Sequence, residues 1–412
     1  MYLNVGLVCA IAGYNDSIGE FNKLMRPINV TEPMSEQVHF YQVSQWPLWM
    51  LAFRPYFLAA GMLAVLSIGC WLLILTGHAS WQLAMPATLW HAHEMMFGFA
   101  GAVAVGFLLT AAQTWTGVAS ISGSKLMLLT LLWLAARGAF FITGTGIENF
   151  NLYALLLLQL LWWLGAIMAL ANMLFKASNK NNYQFLPMLS ALCVLNMIYL
   201  WLVIEQNMLL ALAVVDTAVL VMTLFVGVVA GRVLPFFTAR GLGLTEQVRT
   251  PRLDKVLLYS SIFAVALYFI SQLFIPTVKP GWALGLVAVL HFSRSLVWWR
   301  SAVLKVPLLW SLHFSYLALG FGLALLALSF YSPIILFKDA LHMITIGTIG
   351  MMILAMMTRV SHGHTGRPLT IPHFIAVAFA LVLVAAIIRS LLPVVIGPHI
   401  AWQLSAVLWI VA

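Results

Sequence analysis

Three ionisable side chains begin one of the apolar stretches of this chain: His91, His93 and Glu94, in TLWHAHEMM at 88–96. An ionisable group at membrane depth is costly unless it is paired, bound to a metal or facing water. On a helix, residues three or four apart share a face, whereas residues two apart point to nearly opposite sides. His91 therefore shares a side with Glu94, and His93 shares one with Phe97. One histidine can ligate a metal while the other contacts a neighbouring helix, and Glu94 is suited to orient a ligating imidazole.

Further histidines occur in comparable surroundings. His342 lies near the start of FKDALHMITIGTIGMM, His313 lies two turns into PLLWSLHFSY, and His364 follows in RVSHGHTGRP. Neutral imidazole ligates haem iron and copper. Arg359 and Arg367 lie beside His364 in sequence and are candidates to hold haem propionates through bidentate contacts. Histidines that are hydrogen-bonded inside the bundle, and arginines that reach to lipid head groups, are the alternative explanation of the same residues.

The elements that position these residues are transmembrane helices. The chain has 412 residues, of which 63% are hydrophobic and 8% charged, whereas soluble globular proteins carry roughly 25% charged residues. Its apolar runs are near-continuous over about 20 residues, the length of a spanning helix, and lack the alternation of a barrel strand. The sequence therefore predicts an all-α, polytopic integral membrane bundle that has the lipid bilayer as its main surroundings.

The apolar segments predict twelve spans. They are 54–76, 86–112, 125–144, 152–175, 185–204, 208–231, 255–275, 281–299, 308–331, 338–359, 372–392 and 398–412. With the N-terminus in the cytoplasm, most Lys and Arg residues fall in cytoplasmic loops, as the positive-inside rule requires. The net charge of +9 is explained by this topology, so nucleic acid is not an expected partner. Residues 1–45 are expected to be a cytoplasmic N-terminal lead-in, and 46–412 the transmembrane domain.

The order of the spans suggests an internal repeat. His91, Asp216 and His342 lie near the outer ends of the second, sixth and tenth spans, at nearly equal intervals, and each of these spans is followed by a turn that contains Thr and Gly. Three units of four helices would explain this regularity.

Two features of the middle of the chain suggest a transporter instead. The string GRVLPFFTARGLG at 231–243 is expected to break the sixth helix at Pro235. Asp216 is a candidate partner for Arg137, or a site for a proton or a cation. Broken helices and acidic residues at membrane depth are typical of secondary transporters.

Sulfur-containing residues bear on the choice of metal. The three cysteines are isolated and no CxxCH motif is present, so covalent c-type haem and a cysteine-based zinc site are excluded. The 20 methionines leave Cu(I) as a candidate, because thioether sulfur prefers that ion. Methionine is also an ordinary packing residue in apolar helices.

At these residues the sequence resembles the NnrS family. The likeness is carried by LWHAHEMMFGFAGAVAVGFLLTA with WTG following, GRVLPFFTARGL, PLLWSLHFSYLALG, ALHMITIGTIGMMILAMMTRVSHGHTGRPL and FRPYFLAAG. It implies a twelve-helix protein of the bacterial cytoplasmic (inner) membrane that contains haem and copper and is linked to nitric-oxide metabolism or nitrosative-stress tolerance. The histidines that match these motifs are His91, His93, His313, His342 and His364, whereas His291 and His362 lie outside them.

The leading hypothesis is a membrane metalloprotein that binds b-type haem, with copper as a second expected cofactor. An outer centre would use His91 or His93 together with His342, and an inner centre would use His313 and His364. Such a protein would coordinate nitric oxide or exchange electrons with a redox partner, and whether it is an enzyme stays open. The alternatives are a transporter of a small solute or a metal, and a copper-handling assembly factor.

Overall fold

A computed structural model of the chain describes residues 43–83, 85–142 and 149–412. Most of the predicted lead-in, 1–45, lies outside the described residues. Twelve main helices follow in order: α1 Phe53–Leu75, α2 Ala87–Thr116, α3 Gly123–Ala139, α4 Phe150–Lys176, α5 Phe185–Ile204, α6 Met208–Gly241, α7 Pro251–Leu273, α8 Gly281–Trp298, α9 Pro307–Ser329, α10 Phe337–His364, α11 His373–Leu391 and α12 Pro398–Val411. Short helical turns occur at Val43–Gln45, Pro47–Trp49, Lys180–Asn182, Ser301–Lys305 and Pro393–Ile396.

The predicted all-α membrane architecture is confirmed. Within the described part of the chain, 10 helices are long and apolar enough to cross a membrane. The other two, α3 and α12, have 17 and 14 residues, which is shorter than the roughly 20 residues that a typical bilayer requires. Each of the twelve predicted spans nevertheless corresponds to one of these helices.

The sixth helix differs from its prediction. α6 runs without interruption from Met208 to Gly241 and contains Pro235 in its interior. Proline removes one backbone hydrogen bond but does not have to end a transmembrane helix, because neighbouring groups can satisfy the freed carbonyl. The expected break at Pro235 is therefore wrong, and α6 extends ten residues beyond the predicted 208–231.

α2 and α10 share an unusual local structure. In each, the first turns are α-helical and are followed by a π-helical segment, Glu94–Ala100 in α2 and Met343–Gly350 in α10. The last α-helical residue is a histidine in both cases, His93 and His342. π-Helical turns are rare and occur frequently at functional sites. The two helices that carry the predicted outer ligands are thus the ones that depart from regular geometry.

The packing of the helices supports three units of four. Within each unit the first helix packs on the second and the third on the fourth: α1–α2 with α3–α4, α5–α6 with α7–α8, and α9–α10 with α11–α12. Neighbouring units meet where α4 packs on α5, α8 on α9, and α12 on α1. The units therefore close into a ring, and α6 contacts both α2 and α10 on the inside.

Glycines at equivalent places fix the register of the three units. Gly117, Gly243 and Gly366 follow α2, α6 and α10 at nearly equal intervals, and all three have left-handed backbone, with φ of 69°, 65° and 68°. Glycine is the residue that adopts this conformation at little cost after a helix. In the middle unit the turn glycine is therefore Gly243.

The second helix of each unit (α2, α6 and α10) is its inner helix. A second set of glycines lies where the inner helix meets the fourth helix of the unit. A Cβ atom on Gly101 of α2 would lie 3.3 Å from the ring of Trp163, and one on Gly350 of α10 would lie 2.5 Å from the ring of Trp409. In units one and three, therefore, an indole packs directly on a glycine.

We expect Gly350→Ala to destabilise the bundle, because the added methyl group collides with Trp409 and α12 must shift. Overpacking of this kind costs roughly 1–3 kcal/mol. Gly363→Ala, in the same helix, is the matched control, since nothing lies within 4 Å of the position that its Cβ atom would take. The measurement is thermal unfolding of the two purified variants in detergent. Equal melting temperatures would contradict the packing of Trp409 on Gly350.

Candidate functional site

A charged cluster is buried between α2 and α3. Glu94 Oε1 lies 2.8 Å from His93 Nδ1, and Glu94 Oε2 lies 2.9 Å from Arg137 Nε. Glu94 and His93 are fully buried, at 1% and 0% exposure. The Arg137 contact is an ion pair without hydrogen-bond geometry, and among the described residues the guanidinium nitrogens have no hydrogen-bond partner. The carboxylate thus balances a buried cation and holds an imidazole at the same time.

Both ring nitrogens of His93 are occupied. Because a carboxylate only accepts, His93 Nδ1 donates to Glu94, and His93 Nε2 lies 3.1 Å from the side-chain amide of Asn196 on α5. The ring also packs against Phe97, as the helical spacing predicted, and against Tyr199. His93 is therefore held as part of a polar contact between helices, and neither nitrogen is free to ligate a metal without rearrangement.

His342 has one nitrogen fixed and the other free. Its Nδ1 lies 2.6 Å from the carbonyl oxygen of Lys338, one turn earlier in α10. A carbonyl can only accept, so Nδ1 carries the proton and the neutral ring presents its lone pair at Nε2. A backbone carbonyl that sets the tautomer is the usual support of a metal-ligating histidine.

His91 lies in the same region. Its ring stacks on Trp71 of α1, with the centroids 4.8 Å apart and the planes at 14°. The Nδ1 atom of His91 is buried and has no hydrogen-bond partner among the described residues. His91 and His342 lie within electrostatic range of each other and of Arg389 on α11. Arg389 pairs with Asp339, so its charge is balanced.

Asp216 has a different partner from the predicted one. Its carboxylate binds Lys338 Nζ, at 2.6 and 2.7 Å, and lies 3.4 Å from the hydroxyl of Tyr268. The expected pairing with Arg137 is wrong, because Arg137 pairs with Glu94 of the neighbouring helix. A cavity of about 320 Å³ lies beside Asp216, Tyr268 and Lys338. Lys338 lies in the first turn of α10.

The residues proposed for an inner centre have separate surroundings. His313 is buried, and its Nε2 lies 2.9 Å from the hydroxyl of Thr238 on α6. Arg359 donates to the carbonyl of Leu308 and lies 4.1 Å from the ring centroid of Phe237.

His364 and Arg367 are exposed at the end of α10 and in the turn that follows it. The ring of His364 lies 5.2 Å from that of Phe53 on α1, whereas the contacts of His313 are with other parts of the chain. Within residues 43–83, 85–142 and 149–412, no three His, Cys, Asp or Glu side chains are grouped so that they could hold a metal ion. A centre with two protein ligands, such as haem, is compatible with this finding.

One polar cluster was missed by the sequence reasoning. His291 on α8 is 3% exposed, and its Nδ1 lies 2.6 Å from the hydroxyl of Tyr316. Arg294, one turn further along α8, also donates to that hydroxyl and pairs with Asp254 at 2.8 Å. The spacing of His291 and Arg294 on one helical face was the available signal, and it was set aside because His291 lies outside the family motifs.

The family model that describes the NnrS protein matches residues 47–412. The chain belongs to the NnrS family. The match covers the whole described bundle from α1 to α12, and membership of the NnrS family suggests a membrane protein of the nitric-oxide response. A search of curated proteins gave no match.

We expect Glu94→Gln to destabilise this NnrS-family protein by about 3–5 kcal/mol, because it leaves the buried charge of Arg137 without a partner. The double substitution Glu94→Gln with Arg137→Met removes both charges and should cost less than the sum of the single changes. Glu205→Gln, in the exposed turn after α5, is the control. The measurement is unfolding in detergent of Glu94→Gln, Arg137→Met, the double variant and Glu205→Gln. Strict additivity of the two single changes in the double variant would argue against the ion pair.

Proposed function

We propose that the protein binds a b-type haem between α2 and α10 through His91 and His342. The observation that carries this proposal is the hydrogen bonding of the His91 and His342 imidazole nitrogens. His342 Nδ1 is held by the Lys338 carbonyl at 2.6 Å, and within the described part of the chain neither His342 Nε2 nor the buried Nδ1 of His91 has a hydrogen-bond partner. Two imidazoles in one region of the bundle would be able to hold a haem iron.

The surrounding residues would position the two rings. Trp71 restricts the His91 ring by stacking, and the backbone of α10 fixes the tautomer of His342. The pair Asp216–Lys338 ties α6 to the turn that carries the Lys338 carbonyl. Arg389 lies within electrostatic range of both histidines and would be suited to a propionate, a role for which the sequence had suggested Arg359 and Arg367.

When bound through both histidines, the haem would supply one-electron exchange, whereas coordination of nitric oxide would require an open ligand position. The link to nitric oxide and the placement in the bacterial inner membrane rest on membership of the family. His93 and Glu94 would support α2 rather than ligate. A second haem at His313 and His364 stays a prediction, as do copper, a redox partner and an enzymatic turnover.

The alternative function is transport of a small solute or a metal, and the observation in its favour is the cavity beside Asp216. The continuous α6 removes the broken helix on which that hypothesis relied. The two functions differ in the expected haem content of the purified protein. A transporter of organic solutes should be colourless.

The test is an absorption spectrum of the detergent-purified protein from haem-replete cells, reduced minus oxidised, with a pyridine haemochrome assay. We expect near-stoichiometric b-type haem in the wild type, loss of most of it in His91→Ala and His342→Ala, and partial recovery on adding imidazole. His399→Ala, which alters an exposed histidine, should keep the spectrum. A folded wild-type protein without haem would reject the proposal, and full haem content in both variants would reject the ligand assignment.

A further inference from the structure

The middle unit departs from the other two at the glycine of its inner helix. Trp163 covers Gly101 in the first unit, and Trp409 covers Gly350 in the third. At the corresponding place in the second unit, the ring edge of His291 faces Gly227, and a Cβ atom there would lie 3.2 Å from His291 Cε1. An imidazole is smaller than an indole and is polar.

A cavity of about 230 Å³ lies at this place, lined by residues of α6, α7 and α8 that include Gly227, His291 and Arg294. By the same measure a single water molecule needs only about 10–15 Å³. The space is therefore ample for a small ligand together with water.

The hydrogen bonds around Tyr316 determine what His291 presents to this cavity. The Tyr316 oxygen accepts from Arg294 Nε, and the acceptor for its own proton is His291 Nδ1, at 2.6 Å. A neutral imidazole that accepts at Nδ1 carries its proton at Nε2. His291 is 97% buried, since only 3% is exposed, and within the described part of the chain its Nε2 has no hydrogen-bond partner. In this tautomer the cavity contains the Nε2–H donor of a buried side chain, without an acceptor among the described residues.

The charges around the cavity favour a negative ligand. Asp254 is neutralised by Arg294, which also donates to the Gly227 carbonyl at 2.7 Å. Arg232 and Lys255 line the same space, and neither forms an ion pair with a carboxylate within the described residues. Arg232 is instead held by Asn181 and Asn182, so its charge is not balanced.

Two helix N-termini add to this positive potential. Gln184 directly precedes α5, and Asp254 and Lys255 belong to the first turns of α7; all three line the cavity. The unpaired N–H groups at a helix N-terminus and the helix dipole both favour anions.

We propose that the cavity between α6, α7 and α8 is an anion-binding site in which His291 Nε2 donates to an oxyanion and Arg232 and Lys255 supply the balancing charge. The shared chemistry is that of a phosphate-like or nitrate-like group. Two sources provide it, a free inorganic anion and the head group of an anionic phospholipid, because the cavity lies at the cytoplasmic ends of these helices. The site is distinct from the proposed haem site and does not depend on it.

The experiment compares the wild type with His291→Trp, which restores the aromatic packing of the other two units and fills the cavity. Protein delipidated in a neutral detergent is titrated with sodium phosphate and with sodium nitrate by calorimetry, with sodium gluconate as the ionic-strength control. A second sample, purified with phosphatidylglycerol, is examined by native mass spectrometry. His399→Trp adds an indole at an exposed position and is the matched control.

We expect saturable binding in the wild type and in His399→Trp, and its loss in His291→Trp. Binding of phosphate or nitrate identifies a free anion as the ligand, whereas retention of phosphatidylglycerol alone identifies a head group. Lys255→Gln should weaken binding by about tenfold through the loss of one charge-assisted contact, with exposed Lys125→Gln as its control. This exposed substitution decides the matter should His291→Trp not fold.

Two results would overturn the proposal. One is the absence of saturable binding of phosphate, nitrate and phosphatidylglycerol to the folded wild type. The other is equal affinity in the wild type, His291→Trp and Lys255→Gln. Haem content plays no part in either readout, so failure of the anion site and failure of the haem site are distinguishable.

Discussion

The structure depends on the rule that a charge inside a membrane bundle must have a partner. The four acidic side chains in the described helices each pair with a cation on another helix: Glu94 with Arg137, Asp216 with Lys338, Asp254 with Arg294, and Asp339 with Arg389. These pairs tie α2 to α3, α6 to α10, α7 to α8 and α10 to α11. Since leaving one partner unpaired at depth costs several kcal/mol, the pairs restrict how the helices rotate and slide. The histidines of the outer region are held in place by this restriction, because they lie within a turn of Glu94, Lys338 and Asp339.

The sequence was sufficient for the parts of the fold that depend on local composition. Hydropathy located the helices, because it follows from transfer into the bilayer, whereas the orientation that the distribution of Lys and Arg indicates stays a prediction. It was not sufficient for pairings between distant segments. Asp216 and Arg137 were matched by expected depth alone, but the ring of three units places α6 beside α10, so Lys338 reaches the carboxylate. Pro235 was treated as a break, although the remaining backbone hydrogen bonds and the packing of α6 preserve the helix.

The candidate site was predictable in its residue types but not in its division of roles. His91 and His93 look equivalent in the sequence, and only the neighbouring helices distinguish them. Asn196 of α5 bonds the second nitrogen of His93, whereas His91 stacks on Trp71 and its Nδ1 has no partner in the part of the chain that the structure describes. His291 was overlooked because its importance lies in a comparison between units: it stands where two tryptophans stand elsewhere. Such a signal becomes visible only once the glycines of the inner helices fix the register.

The inner helix of the middle unit has lost the features that its two counterparts share. α6 has no histidine and no π-helical segment, yet it contacts both the outer histidine region and the inner cavity. Asp216 on its outer half pairs with Lys338, whose carbonyl fixes His342, and Gly227 on its inner half faces His291 in the cavity. At 1.5 Å per residue these two positions are about 16 Å apart along one continuous helix. If the three units arose by duplication, their proposed sites have diverged. The outer histidines belong to the first and third units, and the inner cavity belongs to the second. α6 packs against both regions, and its unbroken helix between Asp216 and Gly227 keeps them at a fixed separation.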